Sequence, residues 1–141
     1  GQLRRLIHQH FQRIFLFNLS DLDSRASPRD QYYGLLDLQG NPKPVYVALQ
    51  NFFKVTGPRL DPADAPQVEG APNDLYSIGW TRDDGKRLWM FWSASGDQVQ
   101  LPGVTRATLY NPHTDTETPL SDVTAISVPL TSSLQLLVWT P

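Results

Sequence analysis

From residue 75 onward, large apolar side chains recur at every second position, with polar or glycine residues between them. Tyr76, Ile78 and Trp80 alternate with Ser77 and Gly79, the two-residue period of a strand with unlike faces. Asp83-Asp84-Gly85 then has the composition of a hairpin turn. Beyond it, Leu88, Met90 and Trp92 point one way while Trp89 and Phe91 point the other. Further strands are expected at 98–101, 106–111, 116–120, 124–130 and 134–140. About seven short strands, each separated by turn residues, predict an antiparallel β-sandwich of about 65 residues.

The first half of the chain reads differently. In residues 2–12, Leu3, Leu6, Ile7 and His10 recur at helical spacing, predicting an amphipathic helix. Ile14-Phe15-Leu16-Phe17 is a short strand apolar on both faces, which suits a parallel strand covered on both sides. The polar stretch 18–30 is a loop, and Gln39-Gly40-Asn41 is a turn. Pro42 and Pro44 lead into a helix over about 45–54, with Val45, Leu49, Phe52 and Phe53 as its apolar stripe. Residues 56–74 carry Pro58, Pro62, Pro66 and Pro72 with no apolar period, and are expected to be an extended linker laid over a surface.

Composition narrows the function. The 141 residues hold 12 Lys and Arg against 14 Asp and Glu, so the formal charge is −2. That balance leaves no basic footprint for nucleic acid, and Arg4-Arg5 and Lys86-Arg87 read as solvated faces. There is no cysteine, so neither disulfides nor Cys-based zinc sites are available. His8 and His10 lie two apart on a helix and face apart, while His113 stands alone in a turn, so no metal is expected. No G-x-S-x-G motif, phosphate-cradling loop or membrane-length apolar run occurs. Neither an organic cofactor nor a membrane span is expected. The chain opens at Gly1 with no signal-peptide pattern, which reads as a processed or truncated chain with any export signal upstream. Trp80, Trp89, Trp92 and Trp139 are expected in the sandwich core rather than on a sugar-stacking platform.

The motifs FLFNLSD (15–21), YGLLD (33–37) and GNPKPVYVAL (40–49) resemble the end of the catalytic barrel in family 39 glycoside hydrolases, a family of retaining enzymes. The resemblance implies an α+β chain: the last helix–strand–helix of a (β/α)8 barrel over 1–55, a proline-rich linker over 56–74, and an accessory β-sandwich over 75–141. It also implies a parent enzyme that cleaves glycosidic bonds in an oligo- or polysaccharide, secreted or periplasmic in a bacterium. Its partners would be the N-terminal remainder of the barrel, from the same gene product, and the carbohydrate substrate. In an isolated chain, the bare strand at 14–17 is expected to drive self-association.

Retaining hydrolysis requires two carboxyl groups about 5–5.5 Å apart. In such enzymes both are glutamates, at the ends of barrel strands. Here the two glutamates are Glu69, in the linker, and Glu117, in a sandwich strand. No catalytic residue is therefore assigned. Asn18, Asp21, Asp23, Arg25 and Tyr32 follow the last barrel strand and are candidates for the substrate rim, although such side chains also bond their own loop backbone. The residues leave open a second reading, a non-catalytic carbohydrate-binding or structural β-sandwich module.

Overall fold

The structure, a computed structural model, describes residues 36–141. The expected helix at 2–12, the strand at 14–17 and all five rim candidates, Asn18, Asp21, Asp23, Arg25 and Tyr32, lie outside the described residues. Within them, the chain begins with a tight turn. The Asp37 carboxylate accepts the backbone N–H groups of Gln39 and Asn41, both at 2.9 Å, and Gly40 takes a positive φ of 83°. That turn brings Pro42 back opposite Leu36.

Helix α1, Pro44–Thr56, follows. Pro44 occupies its first position, where the missing N–H costs nothing. Gly57, at φ 74°, ends it by donating its N–H to the Phe53 carbonyl at 3.1 Å. Eight strands complete the order: β1 Leu60–Ala63, β2 Tyr76–Arg82, β3 Arg87–Trp92, β4 Gln98–Pro102, β5 Arg106–Asn111, β6 Thr116–Ser121, β7 Ala125–Pro129 and β8 Gln135–Trp139. Six form one antiparallel sheet in the order β1-β2-β3-β8-β5-β6, and β4 pairs with β7 in a second sheet.

The large sheet is covered on both faces. On one side, Trp89, Phe91, Leu109, Leu137 and Trp139 pack with Val99, Leu101, Ile126 and Val128 of the small sheet. Trp89 and Phe91 stack there with ring centroids 3.9 Å apart, and the Trp89 indole N–H is satisfied by the Ser77 hydroxyl. On the other side, Phe52 of α1, with Val55 beside it, packs with Ile78, Trp80, Leu88, Met90, Tyr110 and Leu136. The layers are therefore helix, large sheet, small sheet. All four tryptophans are buried, as core packing requires. Each large side chain removed from water contributes about 1.5–3 kcal/mol.

One expectation needs correction. The apolar stripe of α1 was expected to include Val45 and Phe53, but these are 52% and 58% exposed. Phe52 is in the core as expected, Val55 packs beside it three residues on, and Thr56 is buried in the same last turn.

The segment over 56–74 is extended and includes regular pairing. Leu60–Ala63 is an edge strand on β2, and Glu69 and Gln100 exchange backbone hydrogen bonds of 2.9 and 3.0 Å. An edge position tolerates Pro62, whose missing N–H takes nothing from the ladder. Residues 56–74 thus pass from the edge of the large sheet to β4 of the small one.

Candidate functional site

The strand register brings distant residues into rows across the α1-facing side of the large sheet. Trp80 pairs with Leu88, Leu88 with Val138, and Val138 with Thr108, so these four form one row over β2, β3, β8 and β5. Two residues further along each strand, the same register aligns Arg82, Lys86, Thr140 and Arg106. The hydrogen bond from the Arg82 N–H to the Lys86 carbonyl, at 2.9 Å, closes the first step of that second row.

This row lies at the C-terminal end of α1, where an open groove of about 640 Å³ runs between the helix and β5. Val138, Thr108 and Tyr110 contribute to its lining, with Lys54 and Val55 on the helix side and Glu117 on β6. Arg106 and Tyr110 lie four residues apart on β5, about 13 Å at strand rise, and Tyr110 pairs directly with Glu117. The groove therefore has a cationic end at Arg106 and Lys86 and an acidic end at Glu117.

Four cations line the groove, but two are already engaged. Arg82 donates to the Val55 carbonyl at 2.7 Å and forms a two-point pair with Asp84. Its hydrogen bond to Asp84 raises the guanidinium pKa and pulls Asp84 down to about 2. Lys54 donates to Asp115 at 2.7 Å. That bond, followed by one from the Tyr110 hydroxyl, holds the Asp115 carboxyl below its usual range. Burial, then the bond to Asp115, pushes the Tyr110 phenol up, so it remains a donor. By contrast, Arg106 has no ion pair among the described residues, and Lys86 has only the field of an Asp84 that Arg82 already holds.

Elsewhere the carboxylates serve the backbone. Asp74 accepts the Ser93 hydroxyl at 2.6 Å, the Ser95 hydroxyl and the Ala94 N–H at 3.0 Å. The Ser93 and Ser95 bonds lower its pKa, which marks a satisfied loop clasp rather than a proton-transfer group. Glu69 lies beside β4, whereas Glu117 lies on β6 of the other sheet and lines the groove on its α1-facing side. The two glutamates form no pair. Among the described residues, no group of three or more His, Cys, Asp or Glu side chains is placed to hold a metal. Nor is any helix there long and apolar enough to cross a membrane.

The sequence reading treated the Lys86-Arg87 pair as a solvated face and gave Arg106 no role. Their signal is visible only once the register is known, since Thr140 is the strand residue that separates Lys86 from Arg106.

Neither a protein family nor a curated protein matches the chain. A solved structure does: a family 39 glycoside hydrolase from the gut symbiont Bacteroides cellulosilyticus WH2, at 18% sequence identity and a TM-score of 0.61. The fold resembles part of a glycoside hydrolase. The match covers 86% of this chain and 25% of that one, so this chain corresponds to about a quarter of the enzyme's length. At this identity the likeness establishes a shared, sheet-rich fold and assigns no residue a role.

Proposed function

We propose that the chain is the C-terminal portion of a retaining glycoside hydrolase related to family 39, and that it closes and braces a catalytic barrel without carrying the glutamate pair. One observation carries this reading: α1 is shared between two surroundings. Phe52 and Val55 root it in the core on the large sheet, while Val45 and Phe53, with Leu38 ahead of the helix, present exposed apolar side chains outward. A helix apolar on two sides suits a position between two packed bodies. The outward face would receive the N-terminal remainder of the same gene product. The bond cleaved would be glycosidic, in an oligo- or polysaccharide, and such a substrate favours a secreted or periplasmic protein.

The test compares the whole gene product with the 141-residue chain on a panel of aryl glycosides and polysaccharides. Hydrolysis by the gene product and none by the chain is expected. A gene product that hydrolyses nothing on the panel would overturn the reading. A second variant, Val45→Asp with Phe53→Asp, should lower the inactivation temperature of the gene product while the described sandwich keeps its own melting point. No change in either would remove the bracing role.

A further inference from the structure

We infer that the groove at the C-terminal end of α1 is a binding subsite for an acidic saccharide, with Lys86 and Arg106 holding its carboxylate or sulfate groups. The inference rests on the glycoside hydrolase reading for the choice of a saccharide; its charge argument stands on the geometry alone.

Lys86 and Arg106 flank Thr140 in one row, so their backbones are two strand spacings apart, about 10 Å. Both have long, flexible side chains that line the same groove. Two cations converging on one concavity repel each other, and an anion between them reverses the sign of that interaction. Among the described residues, neither has a carboxylate of its own. Of the acids around the groove, Asp84 and Asp115 are held by Arg82 and Lys54, and Asp122, next to the cross-strand partner of Arg106, accepts the N–H groups of Thr124 and Ala125. These engaged pairs build the walls and leave Lys86 and Arg106 to a ligand. The groove volume also lies in the range of small-ligand sites.

The rest of the groove favours a sugar. Thr108 and Thr140 contribute hydroxyls with no hydrogen-bond partner among the described residues, and Val138 gives a small apolar patch between them. At the far end, the Glu117 carboxylate is placed to accept hydroxyl hydrogen bonds, which would orient the bound chain. A nucleic acid is disfavoured on the same grounds. Glu117 and Asp115 would repel its repeating phosphates, and Trp139 and Tyr110, the aromatic residues at the groove, are buried and offer no stacking face.

Titration calorimetry with the 141-residue chain tests the site, using polygalacturonate, chondroitin sulfate, dextran and poly-glutamate as probes. Polygalacturonate carries carboxylates alone and chondroitin sulfate carries both carboxylates and sulfates, so binding of the second without the first points to sulfate. Binding of at least one of them, weakened by salt and absent with dextran, is the expected result. Arg106→Ala and Lys86→Ala should each weaken that binding by about tenfold or more. Arg59→Ala, remote from the groove, should leave it unchanged, and circular dichroism shows whether each variant is folded. Equal binding by wild type and folded groove variants would overturn the proposal, as would binding of poly-glutamate alone or of no probe. Binding by the chain without hydrolysis by the gene product would retain the subsite and remove the hydrolase reading. Hydrolysis without binding would do the reverse.

Discussion

The guanidinium of Arg82 donates to the carbonyl of Val55 at 2.7 Å, joining the end of β2 to the last turn of α1 across 27 residues of sequence. A helix C-terminus carries carbonyls with no partner in the helix, and a cation there satisfies one and opposes the helix dipole. Arg82 is largely buried, so little water is available to take over if it is lost.

Arg82→Leu should therefore destabilise the domain by about 1.5–3 kcal/mol, the range for hydrogen bonds to charged groups. Urea unfolding monitored by far-UV circular dichroism reads this as a lower midpoint. Asp84→Asn, which spares the bond to Val55, should cost less. Equal losses would mean that the Asp84 pair, not the helix end, is what Arg82 supports.

Phe52 is the residue by which α1 enters the core, packed among Ile78, Trp80, Leu88 and Met90. Truncating it to Ala leaves a cavity under the helix and should cost about 3–5 kcal/mol. Phe53→Ala, on the outward face, should cost under about 1 kcal/mol in this chain. The contrast between adjacent phenylalanines is the readout, and similar losses would contradict the orientation described for α1.

Gly79 has the chain directly over it. A Cβ there would lie 2.6 Å from the Asp64 carbonyl oxygen and 2.9 Å from that of Ala63. These atoms are backbone, so relief requires β1 to move off β2. Gly79→Ala should destabilise by about 1–3 kcal/mol. It should also raise amide exchange at residues 60–63 more than in β3 or β8. Uniform exchange would show that the edge strand had not moved.

Stability should decline at both extremes of pH. The folded pKa of Asp84 is depressed from 3.8 to about 2, chiefly by Arg82. Between those values the unfolded chain binds more protons, so folding is favoured as pH rises. That contribution is whole above about pH 4 and is lost as pH falls towards 2. Asp74, Asp115 and Asp122 are shifted in the same direction. Tyr110 is raised above its ordinary 10.0, so the stability it contributes is whole below that pH and is lost as pH rises beyond it. A melting temperature flat from pH 5 to 9 and falling outside that window is expected, with Tyr110→Phe removing part of the alkaline fall.

Period-two alternation located the sandwich well. Strand β5 was expected over 106–111 and runs Arg106–Asn111, and the opposite orientations of Met90 and Trp89 are as their parity required. Strand β1 was not legible. Leu60-Asp61-Pro62-Ala63 has one large apolar residue and a proline, and it is a strand because β2 offers an edge, not because of its own propensity. Nor did the apolar stripe of α1 show which of Phe52 and Phe53 would face inward. Adjacent residues differ by about 100° on a helix, and the side that is buried depends on where the sheet lies. The groove was hidden for a related reason: Lys86 and Arg106 are 20 residues apart, and only the pairing of β8 with both β3 and β5 makes them neighbours.

That pairing also sets when the molecule can exist. The last of the eight described strands, β8, is an interior strand of the large sheet, seated between β3 and β5. While residues before Gln135 emerge from the ribosome, β1-β2-β3 and β5-β6 can form only as two separate hairpin ribbons, each with an open edge where β8 will sit. Synthesis at about 5–20 residues per second leaves those edges bare for seconds. A chaperone that covers extended backbone would find its clearest target during that interval, and a nonsense codon only a few residues before Trp139 would leave two half-sheets with nothing to join them.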